Sequence, residues 1–269
     1  MIQIKTSHEI ELMRASGLVT AGALKAVRAA VRPGVTTGEL DAVAEDYIRS
    51  KGGVPNFLGY HGFTGTICAS INHEIVHGIP NPHRALAAGD NISIDCGAIL
   101  NGWHSDSAIT VTVGEPSAED AALLEVTERS MWAGLARAIA GGRLTDISAA
   151  VEQTITAESH PYGIVDHYGG HGIGTEMHQD PQVPNYRVRD RGPTVRSGVT
   201  VAIEPMVTLG NAETRVLGDD WTVVTTDGSR AAHWENSVAV TDQGIWVLTA
   251  LDGGKARLEA AGAAYAPLG

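Results

Sequence analysis

Apolar residues recur every three or four positions along the first fifty residues of the chain. Thr6-x-x-Glu9 is a capping-box pattern that predicts the start of a helix, and Arg32-Pro33-Gly34 predicts its end. A second box, Thr36-x-x-Glu39, predicts another helix directly afterwards. The positions at helical spacing predict the buried faces of these two helices: Ile10, Met13, Gly17, Ala21, Leu24, Val27, Val31, Leu40, Val43, Tyr47 and Ile48.

From about residue 91 the apolar period changes to two, which is typical of strands. Residues 91–99 alternate, Asn101-Gly102 is a strong two-residue turn signal, and residues 103–113 form the predicted return strand. In this hairpin residue 95 faces 108 and residue 97 faces 106. Asp95 and Asp106 then lie on one face as diagonal neighbours, about 7–8 Å apart. Two like charges this close need a counter-charge, which a divalent cation supplies.

The second half of the chain repeats this order of elements. Helices are predicted over about 117–140 and 145–157, strands dominate 167–249, and a Gly/Ala-rich tail follows. Three matches recur in the same order: His77-Gly78-Ile79 with His171-Gly172-Ile173, 89–95 with 198–204, and 106–112 with 235–241. We interpret them as an internal duplication. It predicts a single catalytic domain, 1–269, with halves of about 1–135 and 136–250 and a tail over 252–269.

Carboxylates stand at the repeated points, inside strand patterns. Acidic residues are depleted in strands and are seldom buried unless they are paired or bound to a cation. For any single one, a solvent-facing position is the alternative. With one imidazole, His171, they form an oxygen-rich set that suits a pair of Mn²⁺, Fe²⁺, Co²⁺ or Zn²⁺ ions better than a structural zinc. The four carboxylates are Asp95, Asp106, Glu204 and Glu235.

Composition and charge remove several classes of function. Apolar residues make up 43% of the chain and charged residues 19%, which is typical of a globular protein. The net charge of −12 disfavours nucleic acid and anionic membrane surfaces as partners. Cys68 and Cys96 show no disulfide or zinc-finger spacing, and residues 1–20 do not resemble a signal peptide. We therefore expect a cytoplasmic protein.

In combination, five motifs resemble those of type I methionine aminopeptidases, in the short bacterial form without a zinc-finger extension. The resemblance covers about residues 2–250. It implies an α+β "pita-bread" fold, in which two pseudo-twofold-related αβ halves place a central curved antiparallel sheet inside outer helices. The motifs are His77-Gly78-Ile79-Pro80, the Asp95…Asp106 pair, Gly170-His171-Gly172-Ile173-Gly174, Ile203-Glu204-Pro205-Met206, and Asp220-Trp221-Thr222 before Glu235.

The resemblance also implies the activity: removal of the initiator methionine before a small second residue, through a metal-bridging water or hydroxide. Asp106 and Glu235 would bridge two metal ions, and Asp95 would chelate one of them. His171 and Glu204 would complete the other, with Glu204 as the proton shuttle. The two catalytic histidines that would contact the substrate are His77 and His178.

The substrate pocket implied by the resemblance is apolar and suits a thioether. Met177 departs from the pattern, because many bacterial relatives have an aromatic residue there. Cys68 is not expected to act as a nucleophile, since its setting predicts a buried strand without an adjacent base. The lining residues would be Tyr60, Phe63, Cys68, Met177 and Trp221, and ordinary core packing is the alternative for Tyr60 and Phe63.

Further expectations concern secondary ligands and partners. Around Asn72, backbone carbonyls would hold a monovalent cation. The remaining histidines are expected at surface or structural positions: His61, His73, His83, His104, His160, His167 and His233. The substrates would be nascent polypeptides near the ribosome exit, acted on by a monomer.

Two alternatives stay open. An aminopeptidase P or prolidase relative would share the chemistry and prefer X-Pro peptides, but such proteins usually carry a further N-terminal domain. A non-enzymatic module of the same fold would bind proteins or nucleic acid, but such relatives typically lose metal ligands.

Overall fold

The computed structural model describes residues 1–268. Its helices pack outside β-sheets that run through the centre of the molecule. The helices are α1 Ser7–Ala30, α2 Thr37–Ser50, α3 Ala118–Leu135, α4 Leu144–Thr156 and α5 Lys255–Ala260, with a short 3₁₀ helix at Tyr60–Gly62.

The strands are short except for one long hairpin. They are β1 Val54–Pro55, β2 Ile67–Ile71, β3 Glu74–Val76, β4 Asn91–Leu100, β5 Trp103–Thr112, β6 Gly163–Ile164, β7 Gly170–Gly172, β8 Gln179–Val183, β9 Thr200–Ile203, β10 Met206–Thr208, β11 Thr214–Val216, β12 Val223–Thr225, β13 Ala231–His233, β14 Glu235–Val240 and β15 Ile245–Val247.

Local signals set the helix starts as predicted. Both capping boxes form at the starts of α1 and α2, where each threonine hydroxyl accepts from the backbone of the glutamate three residues later. The predicted extension of α3 to residue 140 is wrong. After Leu135 the hydrogen bonds tighten to three-residue spacing, and Gly141, at φ 87°, turns the chain to pair with Val195. The tail, predicted only as Gly/Ala-rich, contains α5.

The central sheet has the strand order β1-β4-β5-β14-β9-β7-β8, and β2 and β15 pair with β4 and β14. The predicted hairpin register is confirmed: Asp95 pairs with Ala108, and Gly97 pairs with Asp106. Strand β14 joins β5 antiparallel, with Glu235 opposite Ala108. The two strands are also linked by Ser237, whose hydroxyl donates to the carbonyl of Asp106 at 2.7 Å and accepts from its N–H at 3.2 Å.

Two large apolar clusters lie on the helix side of the sheet. One packs α1 and α2 against β2, β4 and β5, and the other packs α3 and α4 against β9 and β14. Burying these helix faces leaves the opposite face of the central strands free for polar side chains. The α+β class is confirmed, and the boundary between the halves near residue 135 stays a prediction. None of the helices formed by residues 1–268 is both long and apolar enough to cross a membrane.

Candidate metal centre

A pocket that is partly open to solvent lies on the polar face of the central strands. It brings together every residue that the sequence singled out for the metal centre and the substrate. The lining residues are Phe57, Tyr60, Phe63, Cys68, His77, Asp95, Asp106, His171, Met177, His178, Glu204, Trp221 and Glu235. The individual roles of these residues stay predictions.

The acidic residues reach the pocket from neighbouring strands. Asp95 and Asp106 lie on β4 and β5, Glu235 begins β14, and Glu204 directly follows β9. Asp106 is 4% exposed and Glu235 is 2% exposed, so both carboxylates are out of water. Strands β5 and β14, which include the first residues of the repeated segments 106–112 and 235–241, are adjacent in the sheet. The carboxylates of Asp106 and Glu235 therefore lie close together.

His171 completes this group from β7. Its Nδ1 lies 3.0 Å from the carbonyl oxygen of Gly172, which fixes Nδ1 as the protonated nitrogen and leaves Nε2 free as a ligand. Nε2 lies 3.5 Å from Oε1 of Glu204. Asp106, His171 and Glu235 each present a ligand atom within 4.8 Å of the other two. A β-carbon at Gly172 would lie 2.0 Å from the carbonyl oxygen of Asp180, so this close packing of β7 requires glycine.

The electrostatics of the cluster fit a divalent cation. Burial raises the pKa of Asp95 to about 7. Burial and the neighbouring Asp95 charge raise the pKa of Asp106 well above its usual range, and burial and Asp106 do the same for Glu235. One oxygen of each of these carboxylates is buried without a hydrogen-bond partner among residues 1–268. A divalent ion would supply both the missing partner and the counter-charge.

The raised pKa values predict that the metal-free protein loses stability as the pH rises. Between the unfolded pKa near 4 and the folded value, about 7 for Asp95, the folded state holds protons that the unfolded state has released. Each such proton lowers the free energy of unfolding by about 1.4 kcal/mol per pH unit in that window. Asp106→Asn removes one of the repelling charges, so in EDTA the variant should become more stable relative to wild type from pH 5 to 8, measured by thermal denaturation.

Burial also lowers the pKa of His77 and of His178, and this makes the folded state more stable as the pH rises. Both histidines are present in the wild type and in Asp106→Asn, so the difference in stability between the two proteins isolates the effect of the carboxylates. At pH 8, added Mn²⁺ should make the wild type at least as stable to thermal denaturation as Asp106→Asn. A stability difference between the two proteins that does not change with pH would contradict the buried-charge account.

His77 follows β3 in a backbone conformation that is unusual for histidine, with φ 61°. Two contacts hold it there: the N–H of Gly78 donates to Ser70 Oγ at 3.0 Å, and the N–H of Ala69 donates to the carbonyl of Gly78. A β-carbon on Gly78 would lie 2.5 Å from the carbonyl oxygen of Ala69. The surrounding backbone therefore imposes the strained conformation that places the His77 ring in the pocket.

His178 faces the same pocket from the segment between β7 and β8. Its Nδ1 lies 2.9 Å from the hydroxyl of Tyr60. Burial, with the charge of His171, lowers the pKa of His178 to about 4, so the ring is neutral at pH 7. The Tyr60 hydroxyl can donate to Nδ1, and in that tautomer the ring carries its proton on Nε2 and is a hydrogen-bond donor from that atom.

An apolar cluster forms one wall of the pocket. Phe57, Phe63, Cys68 and Met177 are buried in it, and Tyr60, Ile79 and Trp221 pack against them. Burial and the charge of Asp95 raise the pKa of the Cys68 thiol well above its usual range, so Cys68 contributes packing and not a thiolate. Two sulfur atoms and several ring edges make this wall suitable for a flexible thioether side chain.

Trp221 is held at the pocket by a tight turn. The Oδ1 atom of Asp219 accepts from the backbone N–H groups of Trp221 and Thr222, at 3.0 and 2.8 Å. The Trp221 ring meets Phe63 edge-on, with centroids 5.0 Å apart. Asn72 lies away from this wall, in the turn between β2 and β3, where its carbonyl accepts from Ala231. A monovalent cation at Asn72 stays a prediction.

Sequence reasoning missed two residues at the centre. Phe57 is in the apolar wall. His233 was expected at a surface or structural position; it is 1% exposed, so it is not at the surface, and its Nε2 lies 3.5 Å from Glu204. One signal could have identified it: His233 stands two residues before Glu235, as His104 stands two residues before Asp106 in the repeat. His104 differs in that its Nδ1 is bound by Asn56 at 2.7 Å.

Comparison with known families places this geometry among metal-dependent peptidases. Residues 11–242 match the model of metallopeptidase family M24. Methionine aminopeptidase 1 of Mycobacterium tuberculosis is 53% identical over 249 residues, covering 91% of this chain and 94% of that protein. Methionine aminopeptidase of Escherichia coli K12 is 39% identical over 249 residues, covering 92% and 94%.

Comparison with solved structures identifies the same fold. The crystal structure of methionine aminopeptidase from Thermotoga maritima has a TM-score of 0.90 at 38% identity and covers 93% of this chain and 99% of that one. Prolidase from Pyrococcus furiosus has a TM-score of 0.73 at 21% identity, and only 65% of its chain is covered. The prolidase likeness shows the fold alone, and the pita-bread fold predicted from the sequence is confirmed.

Proposed function

We propose a two-metal mechanism for this chain, which belongs to metallopeptidase family M24 and, within it, to the methionine aminopeptidases. The chain is a metal-dependent hydrolase that removes N-terminal methionine from proteins and peptides. The observation that carries the mechanism is a single pocket in which an oxygen-rich ligand set adjoins an apolar wall that contains two sulfur atoms. The number of ions, their identity and the role of each residue are our proposals.

The buried carboxylates and His171 are the residues that would hold the metal. Asp106 and Glu235, from adjacent strands, would be shared between two ions. Asp95 would complete the first site, and His171 and Glu204 the second. When bound, Co²⁺, Mn²⁺, Fe²⁺ or Zn²⁺ would polarise the scissile carbonyl and lower the pKa of the attacking water. The ligand set does not select one metal among these four.

The other residues of the pocket orient the substrate and move protons. Burial raises the pKa of Glu204, but contact with His233 and the charge of His171 outweigh it and leave the pKa below its ordinary value. Glu204 is thus ionised and able to accept the proton of the attacking water and return it to the leaving amine. His178 donates from Nε2 to the carbonyl oxygen as negative charge develops there. His77, which lines the same pocket, would contact the scissile amide.

We also propose a preference for small residues after the methionine. The methionine side chain would occupy the apolar wall, which places the second residue of the substrate at the pocket mouth beside His77. Met-Ala-Ser and Met-Gly-Ser peptides should be cleaved about 10- to 100-fold faster, in kcat/KM, than Met-Leu-Ser, measured by methionine release with each of the four metals. Faster cleavage of X-Pro peptides, or equal cleavage after EDTA treatment, would overturn the assignment.

We propose that the substrates are nascent polypeptides, which the enzyme would encounter near the ribosome exit in the cytoplasm. We further propose that the protein works as a monomer, since within residues 1–268 the pocket draws its metal ligands and apolar wall from one chain. Size-exclusion chromatography with light scattering tests the monomer directly. A stable dimer at assay concentration would refute it.

A further inference from the structure

His233 is a buried titratable group to which the mechanism above assigns no part in metal binding, proton transfer or substrate contact. It ends β13 and is 1% exposed, and neither ring nitrogen has a hydrogen-bond partner among residues 1–268. A polar ring buried without partners is unfavourable, because it has lost its hydrogen bonds to water. We therefore expect the His233 ring to form a hydrogen bond or a metal bond with a residue or ion of the neighbouring metal centre.

The geometry identifies Glu204 as the partner. The Nε2 atom of His233 lies 3.5 Å from Oε2 of Glu204, and the Nε2 atom of His171 lies 3.5 Å from Oε1. The Glu204 carboxylate therefore lies between two imidazoles, with one facing each oxygen. Distances of this length often shorten to hydrogen bonds when the catalytic complex forms.

The backbone around His233 is fixed, so the ring position is a property of the fold. The N–H of His233 donates to Oγ1 of Thr110 at 2.8 Å, and the Thr110 hydroxyl lies 2.8 Å from the carbonyl oxygen of His233. On its other side β13 pairs with β10, with Met206 opposite His233. These contacts join the segment to both β5 and β10.

We propose that His233 is a positioning residue for Glu204, donating from Nε2–H to Oε2 and leaving Oε1 free for the metal ion that His171 would also bind. The proposal rests on the proposed two-metal function. By holding one oxygen, His233 fixes the rotation of the carboxylate and so determines which oxygen is available to the metal and to the proton of the attacking water. Metal-bound side chains are commonly held in this way by partners outside the ligand set.

Direct metal ligation is the competing role for this ring. Glu204, His233 and Glu235 each offer a ligand atom within 4.8 Å of the other two. A ligating histidine, however, almost always donates its second N–H to a fixed acceptor. His171 has such an acceptor in Gly172, whereas Nδ1 of His233 has none among residues 1–268. The structure therefore favours the donor role.

Two substitutions separate these roles. His233→Gln keeps an N–H donor near the position of Nε2, whereas His233→Leu removes it. Co²⁺ is titrated into the metal-free proteins by calorimetry, and the visible absorption of bound Co²⁺ reports its ligands. We expect His233→Leu to weaken the second Co²⁺ equivalent about 10- to 100-fold and to lower kcat at saturating Co²⁺. His233→Gln should restore most of both and keep the wild-type spectrum.

His8→Leu is the matched control, because the His8 side chain is 78% exposed at the start of α1. Wild-type Co²⁺ affinity and kcat in His233→Leu would overturn the proposal, as would a His233→Gln variant with lost affinity and a changed Co²⁺ spectrum, which indicates ligation. If His233→Leu does not fold, the affinity and spectrum of His233→Gln decide. Failure of the wild type to bind Co²⁺ or to release methionine would instead refute the proposed function.

Discussion

Replacing Asp106 by Asn is expected to lower kcat at least about a thousandfold, with the fold retained. Asp106 projects from β5 opposite β14 and is buried between Asp95 and Glu235, so its carboxylate is the one best placed to be shared between two ions. An amide of the same shape cannot supply the bridging charge. Metal assistance contributes several kcal/mol to such a reaction, and each 1.36 kcal/mol corresponds to a tenfold change in rate.

The measurement is methionine release from Met-Ala-Ser at saturating Co²⁺ or Mn²⁺, with circular dichroism to verify folding. Asp46→Asn, on the exposed face of α2, is the matched control and should keep wild-type kcat. Asp106→Asn with more than a tenth of wild-type kcat would show that this carboxylate does not hold the catalytic metal.

Replacing His178 by Ala is expected to lower kcat about 10²–10³-fold while KM changes little. A donor aimed at developing oxyanion charge acts in the transition state and contributes about 2.7–4 kcal/mol. Burial lowers the pKa of His178 to about 4, so the ring is uncharged at neutral pH and donates from Nε2 when Nδ1 accepts from Tyr60. Tyr60→Phe should give a smaller loss in the same direction, because it removes the hydroxyl that can donate to Nδ1 and so favour the proton on Nε2.

Steady-state kinetics on one peptide give kcat and KM separately for His178→Ala and for Tyr60→Phe. His83→Ala, at an exposed position, is the control. A rise in KM at constant kcat would assign His178 to ground-state binding and refute its role as an oxyanion donor. In the wild type, protonation of His178 should not reduce kcat until the pH approaches 4.

The Asp95–Asp106 pair was predictable because short-range rules determine it. Asn101-Gly102 sets a two-residue turn, the turn sets the register, and period-two alternation then puts both carboxylates on one face. The helix starts followed in the same way from the two capping boxes. The internal repeats added Glu204 and Glu235, which no local pattern would have connected with the hairpin.

The features that the sequence did not reveal depend on distant packing. His233 is buried because β13 joins β10 and contacts Thr110, more than a hundred residues earlier in the chain. Phe57 enters the apolar wall only once the segment after β1 folds onto Cys68 and Met177. The early end of α3 follows from the pairing of Gly141 with Val195. Each of these depends on a contact between residues distant in the sequence, and only for His233 did the internal repeat offer a signal.

The central claim is that this chain carries a cage for two metal ions, and its most direct test is the stoichiometry of metal binding. Metal-free wild type and Asp106→Asn are titrated with Co²⁺ by calorimetry, with metal analysis after equilibrium dialysis. We predict two equivalents per wild-type chain at saturation and no more than one in the variant. A wild-type protein that binds fewer than two equivalents, or a variant that binds two with unchanged affinity, would contradict the two-metal cage.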